Sequence, residues 1–406
     1  MPPHHEAIHA GVLPFLLGAE GRAAAAALTA TDLDDARLLT ALETLRRTYR
    51  AEEAAALVAL VRLRRSAAAK FDAADRLFFT AEALEQATAA PVAAYRAAWI
   101  DHHAPPGPVL DLGCGIGGDT LALAQYRPVI AVERDPLRLQ LAQANVAALE
   151  LPHPVQFILG DWVAAHAAGT LPAAAAAFAD PARRIDGKRV FRLEALQPPI
   201  SALLALQEAL PALGVKVMPG VDDRDLPDHA TVEFISHEGV CKEAMLWFGP
   251  LRGPGRRAAV YTSDGWQRVV ATGERPPRGP LGPGMTLHEP DPALIRAGAF
   301  AELCARLDAH LFDPEIAYVV ATTDRADPLT QRFHILEIHP FSLKLLQQRV
   351  TALGFGSLEL KKRGAPFAPE SLRGRLRLVA GGQAGVVLFT RRGEERLMLL
   401  AQRPTS

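Results

Sequence analysis

The sequence of 406 residues predicts an α/β protein in which a sheet domain lies between an N-terminal helical domain and a C-terminal α+β domain. Three observations predict this. Residues 1–69 are rich in Ala and Leu at helical spacing, which is typical of a small helical bundle. From residue 70 to 274, short apolar runs alternate with helical stretches, which indicates βαβ units and a Rossmann-like sheet. A Pro/Gly-rich linker, residues 275–283, precedes the third domain, residues 285–406.

The segment from residue 109 to 136 carries the clearest sign of a ligand site. It begins with a short apolar run, residues 109–112, which is interrupted by the acid Asp111 and predicts a buried strand. Four glycines follow this strand: Gly113, Gly115, Gly117 and Gly118. Glycine lets the backbone turn sharply and approach a ligand where a Cβ atom would collide. The first strand therefore leads into a loop that can lie close to a bound molecule.

A helix and a second strand complete this unit. The helix is expected to begin at Asp119, and free N–H groups at such a helix start attract an anion. The second apolar strand, residues 129–132, is followed by Glu133 and Arg134. An acid in that place can hold the two hydroxyls of a ribose. The order strand, glycine loop, helix, strand and acid predicts a nucleoside-binding βαβ unit.

Two classes of nucleoside cofactor fit the glycine loop. Gly113, Gly115 and Gly118 satisfy the G-x-G-x-x-G spacing of nicotinamide dinucleotide sites, with Glu133 at the offset of ~20 residues. Asp111 and the glycines at 113, 115 and 117 equally satisfy the first motif of class I methyltransferases that use S-adenosylmethionine (SAM). The glycines alone leave both cofactors open.

The third and fourth strands favour SAM. The apolar run 155–159 is followed by Asp161, which can accept a hydrogen bond from the adenine amine. Trp162 comes next and is expected either to lie against the adenine or to pack in the core. The fourth run, residues 177–179, ends in an Asp-Pro turn, where amine-directed methyltransferases hold their acceptor. The residues predicted to act on the acceptor are Asp180, Pro181 and Arg183.

The later elements are expected to continue the same pattern. A helix is predicted over residues 193–210, a fifth strand over 215–218, and a closing antiparallel pair over 232–236 and 244–248. The C-terminal domain is expected to hold one helix over residues 292–307. A short strand, residues 358–360, and several others complete it.

Composition excludes several other classes. No apolar run approaches the ~18 residues of a membrane span, so no membrane partner is expected. The three cysteines, Cys114, Cys241 and Cys304, are widely spaced and form neither a metal pattern nor a disulfide framework. No metal is therefore expected, and a cytoplasmic location is predicted.

The chain is nearly neutral, with a formal net charge of −1, but its end is basic. From residue 341 to the end, twelve Lys and Arg stand against four Glu. Such a segment indicates either a polyanionic partner or a solvated basic surface. Lys361, Lys362 and Arg363 follow a short strand, and their side chains are expected in solvent as a phosphate-binding edge.

The whole chain resembles bacterial class I SAM-dependent methyltransferases that carry a C-terminal THUMP-like domain. The stretches that carry this resemblance are KFDAADRLFFTAEALEQAT, LDLGCGIGGD, DPARRIDGKRVFRLEALQPP, KVMPGVD, HPFSLKLL and LELKKRGAPFAPESLRGRL. The catalytic part is also similar to trimethylguanosine synthase, whose fourth-strand motif reads Ser-Pro-Pro-Trp. Here Arg183 stands where that family has the aromatic residue that stacks on the acceptor base.

The resemblance implies SAM as the cofactor and RNA as the partner, since THUMP domains bind RNA. In such enzymes the segment before the first strand often folds over the cofactor. Thr88 in that segment is therefore expected to contact the methionine end of SAM, with a helix-capping role as the alternative. The implied function is methyl transfer to RNA, with an exocyclic amine as the candidate acceptor group. The alternatives are a methyltransferase for a small molecule or protein, and a non-catalytic SAM-binding, RNA-binding protein.

Overall fold

The computed structural model describes residues 7–29, 37–182, 184–185, 188–189 and 192–404. The chain divides into two compact units. The first consists of Met1–Ala230 with Leu246–Arg252, and the second of Thr231–Met245 with Gly253–Ser406.

The first unit begins with helices that share one apolar cluster. The helices of this unit are α1 Leu13–Leu17, α2 Ala19–Thr29, α3 Leu38–Leu45, α4 Ala51–Ala67, α5 Ala81–Gln86, α6 Ala90–His103, α7 Gly118–Leu123, α8 Pro136–Ala147, α9 Trp162–Ala167 and α10 Ile200–Ala209. The cluster joins residues of α1–α4 to Ile116 in the glycine loop, Leu121 in α7 and Leu141 in α8. The N-terminal helices therefore pack against the back of the glycine loop.

The sheet of the first unit has the parallel order that the βαβ pattern predicts. Its strands are β1 Val109–Leu112, β2 Val129–Glu133, β3 Val155–Leu159, β4 Ala176–Ala179 and β7 Leu213–Val217. They lie in the order β7-β4-β1-β2-β3, and each neighbouring pair is parallel. The two-residue strands β5 Arg184–Ile185 and β6 Lys188–Arg189 form a separate hairpin. Because the five strands are parallel, the residues that follow them meet at one edge of the sheet.

The second unit begins with a four-strand arrangement. These strands are β8 Thr231–His237, β9 Val240–Trp247, β10 Arg257–Thr262 and β11 Gly265–Val270, in the order β11-β10-β8-β9. The last two residues of β9 count with the first unit. Strand β10 runs parallel to β8 and antiparallel to β11.

A seven-stranded sheet forms the rest of the second unit, in the order β13-β14-β12-β15-β18-β17-β16. Its elements are β12 Thr286–Pro290, α11 Pro292–Ala297, α12 Phe300–Leu307, β13 Ala309–Leu311, β14 Val319–Ala321, β15 Thr330–Pro340, α13 Leu343–Ala352, β16 Phe355–Lys362, α14 Glu370–Arg373, β17 Gln383–Arg392 and β18 Glu395–Gln402. Successive residues of β17 contribute to two different apolar clusters, because neighbouring strand side chains point to opposite faces.

The structure confirms the α/β class and corrects some boundaries. The single helix expected over residues 292–307 is two helices, because Gly298 adopts a φ of 75° and ends the first one. The short strand expected at 358–360 is the longer β16, which pairs with β17 along most of its length. Within the described ranges, no helix has both the length and the apolar character to cross a membrane.

Candidate functional site

Strand β1, helix α6 and the start of α7 together contribute a cluster of two acidic side chains and their partners. Asp111 on β1 is buried, and its Oδ2 accepts a hydrogen bond of 2.5 Å from the Thr120 hydroxyl. Asp119, at the start of α7, forms an ion pair with Arg96 from α6. The Arg96 guanidinium also lies 4.9 Å from the ring centre of Phe178 on β4. The predicted site residues Asp111 and Asp119 are thus brought together, and Arg96 is a member of the cluster that sequence reasoning missed.

Burial gives Asp111 an unusual proton affinity. Removal from water disfavours its charged form, and the neighbouring Asp119 carboxylate adds repulsion, so the pKa of Asp111 rises to about 8. The Thr120 hydrogen bond and the Arg96 charge act in the opposite direction but do not outweigh burial. Asp111 is therefore mainly protonated at neutral pH, and it contributes a hydrogen-bonding group more than a charge.

This proton predicts a specific pH dependence of stability. From about pH 4 to about pH 8 the folded protein keeps a proton on Asp111 that the unfolded chain releases, so stability falls as pH rises. Asp111→Asn carries no such proton, and its stability relative to the parent should grow by about 1.4 kcal/mol per pH unit across that window. Unfolding midpoints of both proteins across the window measure this. A difference that stays constant with pH would show that Asp111 is ionised when folded.

The glycine loop leaves open room at the carboxyl end of β1. Gly113 and Gly115 have φ angles of 81° and 58°, which residues with a side chain rarely adopt. A Cβ atom added to either glycine would meet no atom within 4 Å. Gly160, after β3, faces similar open space. Gly117 differs, since its Cβ would lie 3.2 Å from the Ala142 Cβ on α8. The first three glycines thus leave room for a ligand, and Gly117 allows close packing of the loop on α8.

Glu133 lies at the end of β2 with its carboxylate fixed by backbone donors. Its Oε2 accepts from the Gly115 N–H at 2.8 Å, and its Oε1 accepts from the N–H groups of Arg134 and Asp135, both at 2.9 Å. A carboxylate accepts about four hydrogen bonds, so about one position remains on Oε2. Glu133 is therefore oriented to accept a hydroxyl beside the glycine loop. The Arg134 side chain is exposed.

Two residues after β3, Asp161 and Trp162, are predicted to contact adenine, and the structure gives them different surroundings. Asp161 caps α9, because its Oδ1 accepts from the N–H of Val163 at 2.8 Å and of Ala164 at 3.4 Å. Trp162 is only 6% exposed, which favours the core-packing alternative for this side chain. The contacts predicted for Asp161 and Trp162 with adenine stay predictions.

Together these features fit SAM. The open cradle follows β1 and β3, the oriented Glu133 carboxylate follows β2, and all lie at one edge of the parallel sheet. The residues that would hold SAM are the glycine loop with Glu133, and Asp161 at the adenine end. The structure therefore leaves open space and one oriented acceptor at the sheet edge where this cofactor would bind.

At the turn predicted to hold the methyl acceptor, one lysine joins two of the predicted residues. Asp180 follows β4, and its Oδ2 lies 2.5 Å from the Nζ of Lys216 on β7. The same Nζ donates to the Thr88 hydroxyl at 3.0 Å. The alternative role of Thr88 as a helix cap is wrong, because Ala89 is the N-cap residue of α6. Sequence reasoning missed Lys216, although a lone Lys within the fully buried strand LGVKV was a signal of a partnered charge.

The turn after Asp180 is tied to the chain further on. Ala182 follows Pro181 and exchanges two backbone hydrogen bonds with Gln197, at 2.8 and 3.1 Å. The third predicted catalytic residue, Arg183, lies outside the described residues. The Asp-Pro turn is therefore braced on both sides, by Lys216 at the side chain and by Gln197 at the backbone.

A third missed residue, Asn145 on α8, links the glycine loop to the preceding segment. Its amide nitrogen donates to the carbonyls of Ile116 at 2.9 Å and Phe78 at 3.1 Å, and its oxygen accepts from the Phe78 N–H at 2.7 Å. Asn145 is buried, so these bonds are shielded from water. The glycine loop is thereby fixed to the segment that leads to Thr88.

Cys114 lies within the glycine loop but is not a reactive nucleophile. Burial raises the pKa of its thiol far above the usual range, and the nearby Asp111 carboxyl acts in the same direction. Across the described ranges, no three His, Cys, Asp or Glu side chains come together in a way that would hold a metal ion.

In the second unit, the basic run at the end of β16 is not the free edge expected from the sequence. Lys361 Nζ lies 2.5 Å from Glu289, Arg363 lies 3.2 Å from the same carboxylate, and Lys362 donates to the Phe367 carbonyl. Lys361 and Arg363 are 19% and 26% exposed. The expectation of side chains in solvent is therefore wrong for these two residues, because both pair with Glu289 on β12.

Two family models match separate parts of the chain. A model described as RNA cap guanine-N2 methyltransferase matches residues 107–182, and a model described as THUMP domain-like matches residues 330–403. The first match covers the strands from β1 to β4, and the second covers the strands from β15 to β18.

Individual relatives agree with these matches. An uncharacterized S-adenosylmethionine-dependent methyltransferase of Mycobacterium tuberculosis is 34% identical over 348 residues, which is 83% of this chain and 92% of the relative. Trimethylguanosine synthase of Schizosaccharomyces pombe is 39% identical over 57 residues, 14% of this chain and 24% of that protein. A crystal structure of a candidate methyltransferase from Porphyromonas gingivalis W83 is similar in fold, with a TM-score of 0.72 and 19% identity over 92% of this chain and 99% of that one.

Proposed function

The chain belongs to the S-adenosylmethionine-dependent methyltransferases, and from that premise we propose that it methylates a nitrogen of an RNA base. The observation that carries the choice of nitrogen is the Asp180–Pro181 turn at the carboxyl end of β4, at the same sheet edge as the glycine loop. A carboxylate and a backbone carbonyl in one turn can accept both hydrogens of an exocyclic amine. The THUMP-like and guanine-N2 methyltransferase matches support RNA as the acceptor.

Methyl transfer mainly requires that the acceptor atom is aligned with the methyl group of SAM. Bound SAM supplies a methyl group on a positively charged sulfur, which is already a strong electrophile. The chain therefore needs to hold an acceptor lone pair in line with that methyl, and such positioning can contribute ~7 kcal/mol or more. Asp180 and the Pro181 carbonyl would orient the amine, and no strong general base is required before attack.

Basic side chains at the surface of the second unit support a nucleic-acid partner. Three arginines around and after α14 are exposed: Arg373, Arg375 and Arg377. The backbone of Arg377 is held to α13 by Gln347, whose side chain bonds its N–H at 2.7 Å and its carbonyl at 2.9 Å. Lys344 precedes Gln347 by three residues, so it lies on the same side of the helix and is also exposed. These four cations form the proposed phosphate-binding surface.

We expect the triple variant Arg373→Ala, Arg375→Ala, Arg377→Ala to bind RNA more weakly and with a flatter salt dependence. Each lost phosphate contact should remove ~0.7 from the slope of log affinity against log salt for single-stranded RNA. The matched control removes the same number of cations at Lys361, Lys362 and Arg363, two of which already pair with Glu289. RNA titrations at several salt concentrations measure both slopes. Equal slopes for the arginine variant and the parent would exclude this surface.

The class of acceptor is tested by following the label. Purified protein is incubated with SAM carrying a radioactive methyl group and an extract of cells that lack the gene. The extract is then separated into RNA, protein and small molecules. We expect ribonuclease-sensitive label in the RNA. Label in protein or small molecules alone would replace RNA as the acceptor, and the absence of label in every fraction would favour a non-catalytic role.

A further inference from the structure

We infer that Lys216 is a positioning residue that holds the Asp180 carboxylate and the Thr88 hydroxyl in one arrangement. Its side chain is 4% exposed, yet it contacts Asp180 at 2.5 Å and Thr88 at 3.0 Å. A buried ammonium is costly unless it is paired, so these contacts are what allow a lysine in this place. The catalytic consequence of this inference rests on the proposed function, whereas the contacts do not.

The two partners of this ion pair differ in rigidity. Lys216 belongs to β7, all five residues of which are buried, and β7 pairs with β4. Asp180 lies in the turn after β4 and is 30% exposed. The strand therefore fixes the ammonium, and the ammonium fixes the carboxylate. Because Oδ2 of Asp180 is committed to Lys216, Oδ1 is the oxygen that can accept a hydrogen bond from the methyl acceptor.

A second lysine shows how the Thr88 segment is held. Lys70 Nζ donates to the carbonyls of Leu84 at 2.7 Å, Glu85 at 3.1 Å and Ala87 at 2.8 Å. Lys70 thus fixes the backbone at the end of α5, and Lys216 fixes the next side chain. The segment expected to cover the cofactor and the turn expected to hold the acceptor consequently share one ammonium.

Hydrogen exchange tests the contact without any activity. We expect Lys216→Met to raise exchange by at least tenfold in peptides covering residues 84–90 and 176–182 of the full-length protein. Lys70→Met is the matched control, because it loses contacts to the first segment but keeps Lys216 beside Asp180. It should loosen only residues 84–90. Unchanged exchange at 176–182 in Lys216→Met would overturn the inference.

Kinetics test the role in transfer. With RNA from cells that lack the gene, Lys216→Met should lower kcat at least tenfold and leave the Kd of S-adenosylhomocysteine within threefold. Lys216→Arg should restore part of the rate. Asp180→Asn combined with Lys216→Met should be no slower than Asp180→Asn alone, since both act through one carboxylate. Additive losses would overturn the inference. If the parent methylates no RNA, the proposed function fails, and the exchange result still decides the contact.

Discussion

Asp180→Asn is expected to lower methyl transfer by roughly 100- to 1000-fold, the loss seen when one preorganised polar contact to a reacting group is removed. The amide keeps the shape of the side chain and an oxygen that can still accept from Lys216, 2.5 Å away in the parent. It removes the negatively charged carboxylate that would accept a hydrogen bond from the amine and so orient it. The rate is measured in single turnovers with labelled SAM and RNA from cells that lack the gene.

The Kd of SAM should stay within about threefold in this variant, because Asp180 is expected to touch the acceptor more than the cofactor. Glu208→Gln, on the exposed surface of α10, is the matched change from acid to amide and should leave both quantities unaltered. Loss of SAM binding in Asp180→Asn would move this residue to the cofactor site. Full activity would mean that the acceptor is held elsewhere.

Glu133→Ala is expected to raise the Kd of SAM by roughly 10- to 150-fold, which corresponds to about 1.5–3 kcal/mol for hydrogen bonds to a charged group. The variant loses the acceptor next to the glycine loop and also three backbone bonds, one to Gly115 in that loop and two to Arg134 and Asp135 after β2. Calorimetry with SAM measures the change, and NAD should show no binding to the parent.

Glu133→Gln separates the two contributions. The amide keeps one side-chain oxygen but lacks the charge, so its Kd should lie between the parent and Glu133→Ala. Unfolding midpoints of both variants show whether the loop still folds. An unaltered Kd in Glu133→Ala would show that Glu133 does not hold the ribose.

The sheet of the first unit was largely predictable from local pattern. Strands β1 and β3 have the predicted bounds, and β2 and β4 differ by one residue at one end. Each is a short apolar run closed by glycine or an acid, and β1, β2 and β4 are buried along their whole length, which is typical of strands inside a parallel sheet. The chemistry at strand ends follows in the same way, because parallel strands bring their carboxyl ends together.

Contacts between distant parts of the chain were not predictable. Lys216 lies 36 residues from Asp180 and 128 from Thr88, so no spacing in the sequence reveals their meeting. The basic run at the end of β16 looks like a free phosphate-binding edge in the sequence, because its partner Glu289 lies 72 residues before Lys361. Local charge counts record cations but not the acids that the fold places beside them. Arg373 at the end of α14, with Arg375 and Arg377 after it, are better candidates for phosphate contacts, because their side chains are exposed.

The most direct measurement is mass spectrometry of nucleosides after methylation with trideuteromethyl SAM. RNA from cells that lack the gene is treated with the parent protein or with Asp180→Asn, digested and analysed. The account predicts one base that carries the deuterated methyl on a nitrogen with the parent, and a strong loss of that nucleoside with the variant. A deuterated methyl on a ribose oxygen or a base carbon, or no labelled nucleoside at all, would contradict it.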